Sequence, residues 1–116
     1  MVRFQQNEKK EFIGNKFGGD GFICVQSLNS NDAELNNKGR VFAHTTLLPG
    51  CSIGYHKHEN ESEIYYITSG EGEFNDNGKI VNIKAGDVTY TMSGMGHGIR
   101  NTGSKPLEIV ALILYA

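Results

Sequence analysis

An all-β fold, a sandwich or barrel of short antiparallel strands, is what this sequence predicts, and three features carry that expectation. Glycine is abundant and proline scarce, with 15 and 2 residues in a chain of 116. Turn signals cut the sequence into short apolar runs at fairly regular spacing, the pattern of many short strands. No long stretch carries apolar residues at the helical period. The length suits a single domain, 1–116, able to bury a core without staples.

Residues 1–20 are expected to pack on that barrel or extend it. Within them Glu11-Phe12-Ile13 reads as a short strand or one helical turn, and Gly18-Gly19-Asp20-Gly21 as a loop. Phe22 to Leu28 reads as a strand, and polar, Asn-rich Asn29 to Gly39 as a mobile surface loop. Arg40 to Leu48 is the next strand, ended by Pro49-Gly50. Glu63 to Ser69 and Gly72 to Asn75 flank a turn at Gly70. Asn77-Gly78, between Phe74 and Ile80, is a type I′ hairpin signal, because both residues tolerate positive φ. Lys79 to Ile83 is the return strand, Val88 to Met92 another, and Ser93-Gly94-Met95-Gly96 a turn that delivers His97. Leu107 to Tyr115 is nearly all apolar, which implies burial of both faces. Leu107, Ile109, Ala111, Ile113 and Tyr115 form one alternating face, and Val110, Leu112 and Leu114 the other. One of the two lines the interior, so the other needs a cover, expected from a second copy in a homodimer, with the N-terminal strands of the same chain as the alternative.

The chemistry concentrates between Gly50 and Gly70. His56 and His58 are one residue apart, and on an extended strand such side chains share a face. Glu63 opens an apolar strand, with Tyr65 and Ile67 on its face. Imidazoles with a carboxylate are ligands for a transition-metal ion. Such an ion also accounts for a carboxylate facing a core, where an unpaired charge is costly. Downstream, His97, Ile99 and Asn101 share a face. Tyr65 and Ile99 are therefore candidates for contact with a substrate. His44, the remaining histidine of four, reads as a solvated or hydrogen-bonded strand residue, with a place beside the pocket as the alternative. Glu59 and Glu61 read as facing water.

Together these stretches resemble the two signature motifs of the cupin family. The first matches at Gly50, His56, His58, Glu63 and Gly70, within 50–70. The second, within 86–101, matches at Gly86, Gly94, His97 and Asn101 and departs once, with Met92 where the motif has proline. The resemblance implies a jelly-roll barrel, an antiparallel double-sheet sandwich. It also implies convergence of His56, His58, Glu63 and His97 on one divalent transition-metal ion: iron, manganese, nickel, copper, cobalt or zinc. Proline would fix φ in the turn before His97, so Met92 predicts a looser turn and a weaker hold on that ligand. The spacer from Glu71 to Ala85 is short, as in small bacterial cupins; such proteins are commonly dimers.

Family resemblance does not name a reaction. The first expectation is a metal-dependent enzyme on a small polar molecule, dioxygenase-like or isomerase- or decarboxylase-like. The alternative is a metal-dependent binding or sensor module without turnover. The net charge of −2, with signs interspersed, gives no basis for nucleic-acid or anionic-membrane binding. No apolar run approaches bilayer length and the first residues lack a signal-peptide core, which points to the cytoplasm. Cys24 and Cys51 are expected to be free thiols there.

Overall fold

The computed structural model describes residues 1–7 and 9–116. Among these, ten strands make two antiparallel sheets, with short 3₁₀ turns and no α-helix. The strands are β1 (Lys10–Gly14), β2 (Phe22–Ser27), β3 (Gly39–Leu47), β4 (Ser52–Lys57), β5 (Glu61–Ser69), β6 (Glu71–Asp76), β7 (Lys79–Lys84), β8 (Val88–Thr91), β9 (Gly96–Asn101) and β10 (Leu107–Tyr115). One sheet runs β1-β2-β3-β10-β5-β8 and the other β4-β9-β6-β7. The expected all-β double-sheet jelly roll is the fold observed.

The core lies between the sheets and follows from period-2 alternation. Ile23, Leu47, Tyr65, Ile67, Leu107 and Ile109 face inward from the larger sheet, and Ile53, Phe74, Ile83 and Ile99 from the smaller one. β10 is central, pairing with β3 on one side and β5 on the other. Asn77 and Gly78 take φ of 51° and 101°, and Asp76 pairs with Lys79 across them. This is the type I′ hairpin, with Phe74 and Ile80 on adjacent strands.

One open expectation is settled and two are revised. Glu11–Ile13 resolves as strand, since β1 pairs with β2 at the sheet edge. Asn29–Gly39 is tied down rather than loose. Asn31 caps a 3₁₀ turn at Asp32–Leu35, Arg3 bonds Leu28 O and Glu34, and the Tyr115 hydroxyl donates to Asp32. Tyr115 also leaves the inner face and is exposed, because β10 there runs past a register shift at Ile113/Leu114.

The outward face of the larger sheet carries two cross-strand apolar rows. Phe42, Leu112, Ile64 and Tyr90 form one, and Val110, Tyr66 and Val88 the core of the next. Phe42, Tyr66, Val88 and Tyr90 are exposed.

Asn101, the last residue of the second motif, is 1% exposed and staples three segments. Its Nδ2 donates to Leu47 O at 2.9 Å and Lys105 O at 2.8 Å, and its Oδ1 accepts from Gly103 N at 2.9 Å. At about 1 kcal/mol per bond, Asn101→Ala is expected to cost about 3 kcal/mol in urea unfolding with metal content unchanged. A loss below about 1 kcal/mol would contradict that role.

Candidate metal centre

His56 and His97 lie directly opposite one another in the β4–β9 register. His58 follows the end of β4, and its backbone is clamped to the turn before β9: His58 N donates to Met95 O, and Gly94 N donates to His58 O. Glu63 arrives from β5 in the facing sheet and is buried. Three imidazoles from one side of the barrel and one carboxylate from the other thus meet between the sheets.

The contacts are tight. His97 Nε2 lies 3.2 Å from His58 Nε2 and 3.2 Å from His56 Nε2. Glu63 Oε1 lies 3.0 Å from both His58 Nε2 and His97 Nε2. All four ligand atoms fall within 4.8 Å of one another.

The other ring nitrogens define which atoms carry lone pairs. His56 Nδ1–H donates to Gly54 O at 2.8 Å, and His58 Nδ1–H to Glu61 Oε1 at 3.0 Å. Thr91 Oγ1 lies 2.7 Å from His97 Nδ1 and can accept from it. With the protons held outward, the neutral rings aim lone pairs at one point, where a carboxylate oxygen joins them. Four acceptors converging inside an apolar barrel repel unless a cation sits among them. The donor set, three nitrogens and one oxygen, fits one first-row divalent ion.

With no metal ion among them, protons on the inner nitrogens of His58 and His97 take the cation's place. Burial pushes the Glu63 carboxyl up, but hydrogen bonds from His58 and His97 outweigh it and hold the group at about 2. The same bond from Glu63 raises His58, against the opposing effect of burial. Burial lowers His56. Tyr65, stacked on His97 at 4.9 Å, is raised well above its usual value by burial and then by Glu63.

Beside the four ligands lies a cavity of about 170 Å³. Lys16, Phe17, Arg40 and Tyr65 line it, with apolar residues of β2, β3 and β10 behind. Of the two candidate substrate contacts, Tyr65 lines this cavity, whereas Ile99 is buried in the core outside its lining.

Two residues play parts that local pattern did not show. Glu61 does not face water. It accepts from Arg40 Nε at 2.7 Å and Nη2 at 2.8 Å while also holding His58. Its carboxyl is held at about 2, chiefly by Arg40. The signal available was the three-residue step from His58, but a strand reading separates their faces. Phe17 stacks on His56 with ring centroids 3.8 Å apart and planes 14° apart. It does so at φ 51°, a left-handed conformation that costs a bulky residue about 1–2 kcal/mol.

The remaining expectations are settled plainly. Glu59 is exposed. His44 is on the outer face beside Gln26 and Glu108, away from the cavity. The turn after Met92 is not loose, because Met95 N bonds Met92 O and the Ser93 hydroxyl accepts from Asn60 N. His97 is fully buried, so packing does what proline does in the motif.

The chain is similar to several known proteins. A family profile described as Cupin domain matches residues 43–113. An oxalate-binding protein of Thermotoga maritima is 54% identical over 104 residues, covering 90% of this chain and 85% of that protein. An oxalate decarboxylase of Bacillus subtilis is 34% identical over 75 residues, which is 60% of this chain but 20% of that protein. A solved structure described as a predicted oxalate decarboxylase from Thermotoga maritima superposes with TM-score 0.95 at 49% identity, covering all of both chains. An RmlC-like cupin from Shewanella frigidimarina, 20% identical, has TM-score 0.77 over 99% of this chain and 90% of that one, which is likeness of fold.

Protons and a metal ion compete for the same nitrogens. A raised His58 keeps its proton to higher pH, so metal affinity is expected to rise with pH and level off above the histidine's ordinary value of 6.5. Below that plateau it falls by about tenfold per pH unit for each proton displaced. The check is the rise in melting temperature on adding cobalt(II), followed from pH 5 to 9. Glu61→Gln, which weakens the hold on His58, is expected to reduce cobalt affinity by about 10–100-fold at pH 8. A pH-independent affinity would contradict competition at this site.

Proposed function

The chain belongs to the cupin family, and we propose that it binds one divalent transition-metal ion at His56, His58, Glu63 and His97 and, beside that ion, a small carboxylate dianion of the oxalate type. The observation that carries this is four acceptor atoms converging at the edge of a cavity of about 170 Å³. That is more than ten times the roughly 10–15 Å³ that admits one water, room enough for a small ligand such as oxalate. The relative named as an oxalate-binding protein, 54% identical over 90% of this chain, supports the ligand class. When bound, the ion would supply Lewis-acid attraction for the ligand's oxygens.

Binding without turnover is the reading the cavity favours. Proton transfer wants a group whose pKa lies near the working pH. Tyr65, the phenol facing the cavity, keeps its proton far above that range, and Glu61 is committed to Arg40 and His58. A metal-dependent enzyme, dioxygenase-like or isomerase- or decarboxylase-like, is the second reading. Three nitrogens and one oxygen leave open positions on a six-coordinate ion, and the structural relative at 49% identity is described as a predicted oxalate decarboxylase. Free thiols at Cys24 and Cys51 suit a reducing cytoplasm, and no helix among the described residues is long and apolar enough to cross a membrane.

The assembly proposed is a homodimer. Phe42, Tyr66, Val88 and Tyr90 stand exposed around half-buried Ile64, Val110 and Leu112 on one sheet face. A contiguous apolar face of this kind marks an interface, and a flat sheet face can meet its own copy across a two-fold axis. β1, the cover available within the chain, pairs at the far edge of the sheet and leaves those rows open.

Two measurements decide these proposals. In calorimetry, cobalt(II)-loaded protein is expected to bind oxalate one to one, and His56→Ala/His58→Ala to lose both metal and oxalate while keeping β-sheet circular dichroism. Metal content unchanged in the double variant would refute the site. Formate or carbon dioxide released from oxalate would select the enzyme reading. Light scattering at micromolar concentration is expected to give twice 12.8 kDa, and the mass of one chain would sink the dimer.

A further inference from the structure

The segment between β1 and β2 crosses the open side of the metal centre as a strap. Its ends close on each other, Asn15 N donating to Gly21 O at 2.8 Å. Its middle is held by Asn15 Nδ2 to Gly19 O, by Ser52 N to Asp20 O, and by Arg100 to Asp20. It lies backbone against backbone on β4. A Cβ on Gly54 would collide with the Phe17 carbonyl, and one on Gly19 with the Ser52 carbonyl. Two glycines 35 positions apart therefore permit an approach that no side chain would allow.

Core packing does not explain the strap's form. Phe17 adopts φ 51° yet stays 53% exposed. What the strained conformation achieves is the flat stack on His56 and the placement of Lys16. That side chain is half-buried, lines the cavity, and has its ammonium 5.0 Å from the Phe17 ring centroid. Among the described residues it has no carboxylate partner. The other cation lining the cavity, Arg40, is already paired with Glu61.

Charge bookkeeping then identifies the unmatched group. A divalent ion on three neutral imidazoles and Glu63 leaves one net positive charge. Arg40 and Glu61 cancel. Lys16 adds a second positive charge on the cavity wall. A neutral ligand matches neither charge, a monocarboxylate one, and a dicarboxylate both.

From this we infer that Lys16 is the specificity residue of the site: carried on the Gly14–Gly21 strap and set in place by Phe17, it pairs with the carboxylate of a dianion that the metal leaves unbalanced. The inference rests on the ligand class proposed above and adds the residue that selects it.

The test uses cobalt(II)-loaded full-length chain with oxalate and formate as probes, comparing wild type with Lys16→Gln and Lys16→Arg. Lys16→Gln is expected to weaken oxalate binding by about 10–100-fold, the range for losing a charged hydrogen bond. Formate affinity, cobalt affinity and melting temperature are expected to stay unchanged, and Lys16→Arg to restore most of the oxalate affinity. Raising the salt concentration should weaken oxalate more than formate in wild type, and the gap should narrow in Lys16→Gln. An unchanged oxalate affinity, or equal losses for oxalate and formate, would overturn the assignment, the latter showing that Lys16 only props up the strap. Wild type that binds cobalt but no oxalate would instead overturn the ligand class and the Lys16 assignment with it.

Discussion

The structure depends on a repulsion that something must relieve. Three imidazole lone pairs and a carboxylate oxygen meet within 4.8 Å, surrounded by Tyr65, Phe74 and the apolar inner faces of two sheets. In water such groups would turn to solvent or take up protons. Here the sheet register prevents the first, since His56 and His97 face each other across β4–β9 and Glu63 is fixed by β5's pairing with β10 and β8. Rotation of the rings is also opposed, because the outward nitrogens are engaged by Gly54 O, Glu61 and Thr91. Relief must therefore come from a cation, either a proton or a metal ion. The barrel's stability and its occupancy are thereby linked.

That linkage fixes the order of importance among the surrounding residues. Glu61 acts through His58, and Arg40 through Glu61. A chain of charge-assisted bonds runs from the surface to the candidate metal ligands, and each link makes the imidazole a better donor toward the centre. Thr91 does the same for His97 with a neutral hydroxyl. The three ligands thus differ in kind: His58 is braced by charge, His97 by complete burial, and His56 by a backbone carbonyl and an aromatic face.

Much of this was legible in the sequence because strands encode facing directly. His56 and His58, Glu63 with Tyr65 and Ile67, and the alternation along β10 all follow from a period of two. Asn77-Gly78 announced its turn by residue type. What stayed hidden required contacts between distant segments. Glu61 looked solvent-facing because its partners, Arg40 and His58, are supplied by another strand and by a chain bend after β4. Met92 predicted a looser turn because φ restriction is a local property, whereas the bonds that hold the turn come from His58 and Asn60. Nothing in Gly14-Asn15-Lys16-Phe17 announces a strap over the candidate metal centre, since its seat on β4 depends on Gly54.

This separation has a consequence for how such a molecule changes its ligand. All four candidate metal ligands lie within residues 43–113, the stretch shared with the Cupin domain profile. Their geometry is bound to sheet register, and a one-residue slip would turn every side chain to the other face. The candidate metal centre is thus costly to alter. The strap lies outside that stretch, touches the centre through one aromatic face and brings Lys16 to the cavity beside it. Its anchors are backbone hydrogen bonds and glycine contacts that make no demand on the side chains at positions 16 and 17. Position 16 is therefore free to vary without disturbing either the core or the ligand set, whereas position 17 is held to an aromatic ring by its stack on His56. A charge on the cavity wall is therefore the least costly place for this fold to write a preference among anions, and in this chain that charge is Lys16.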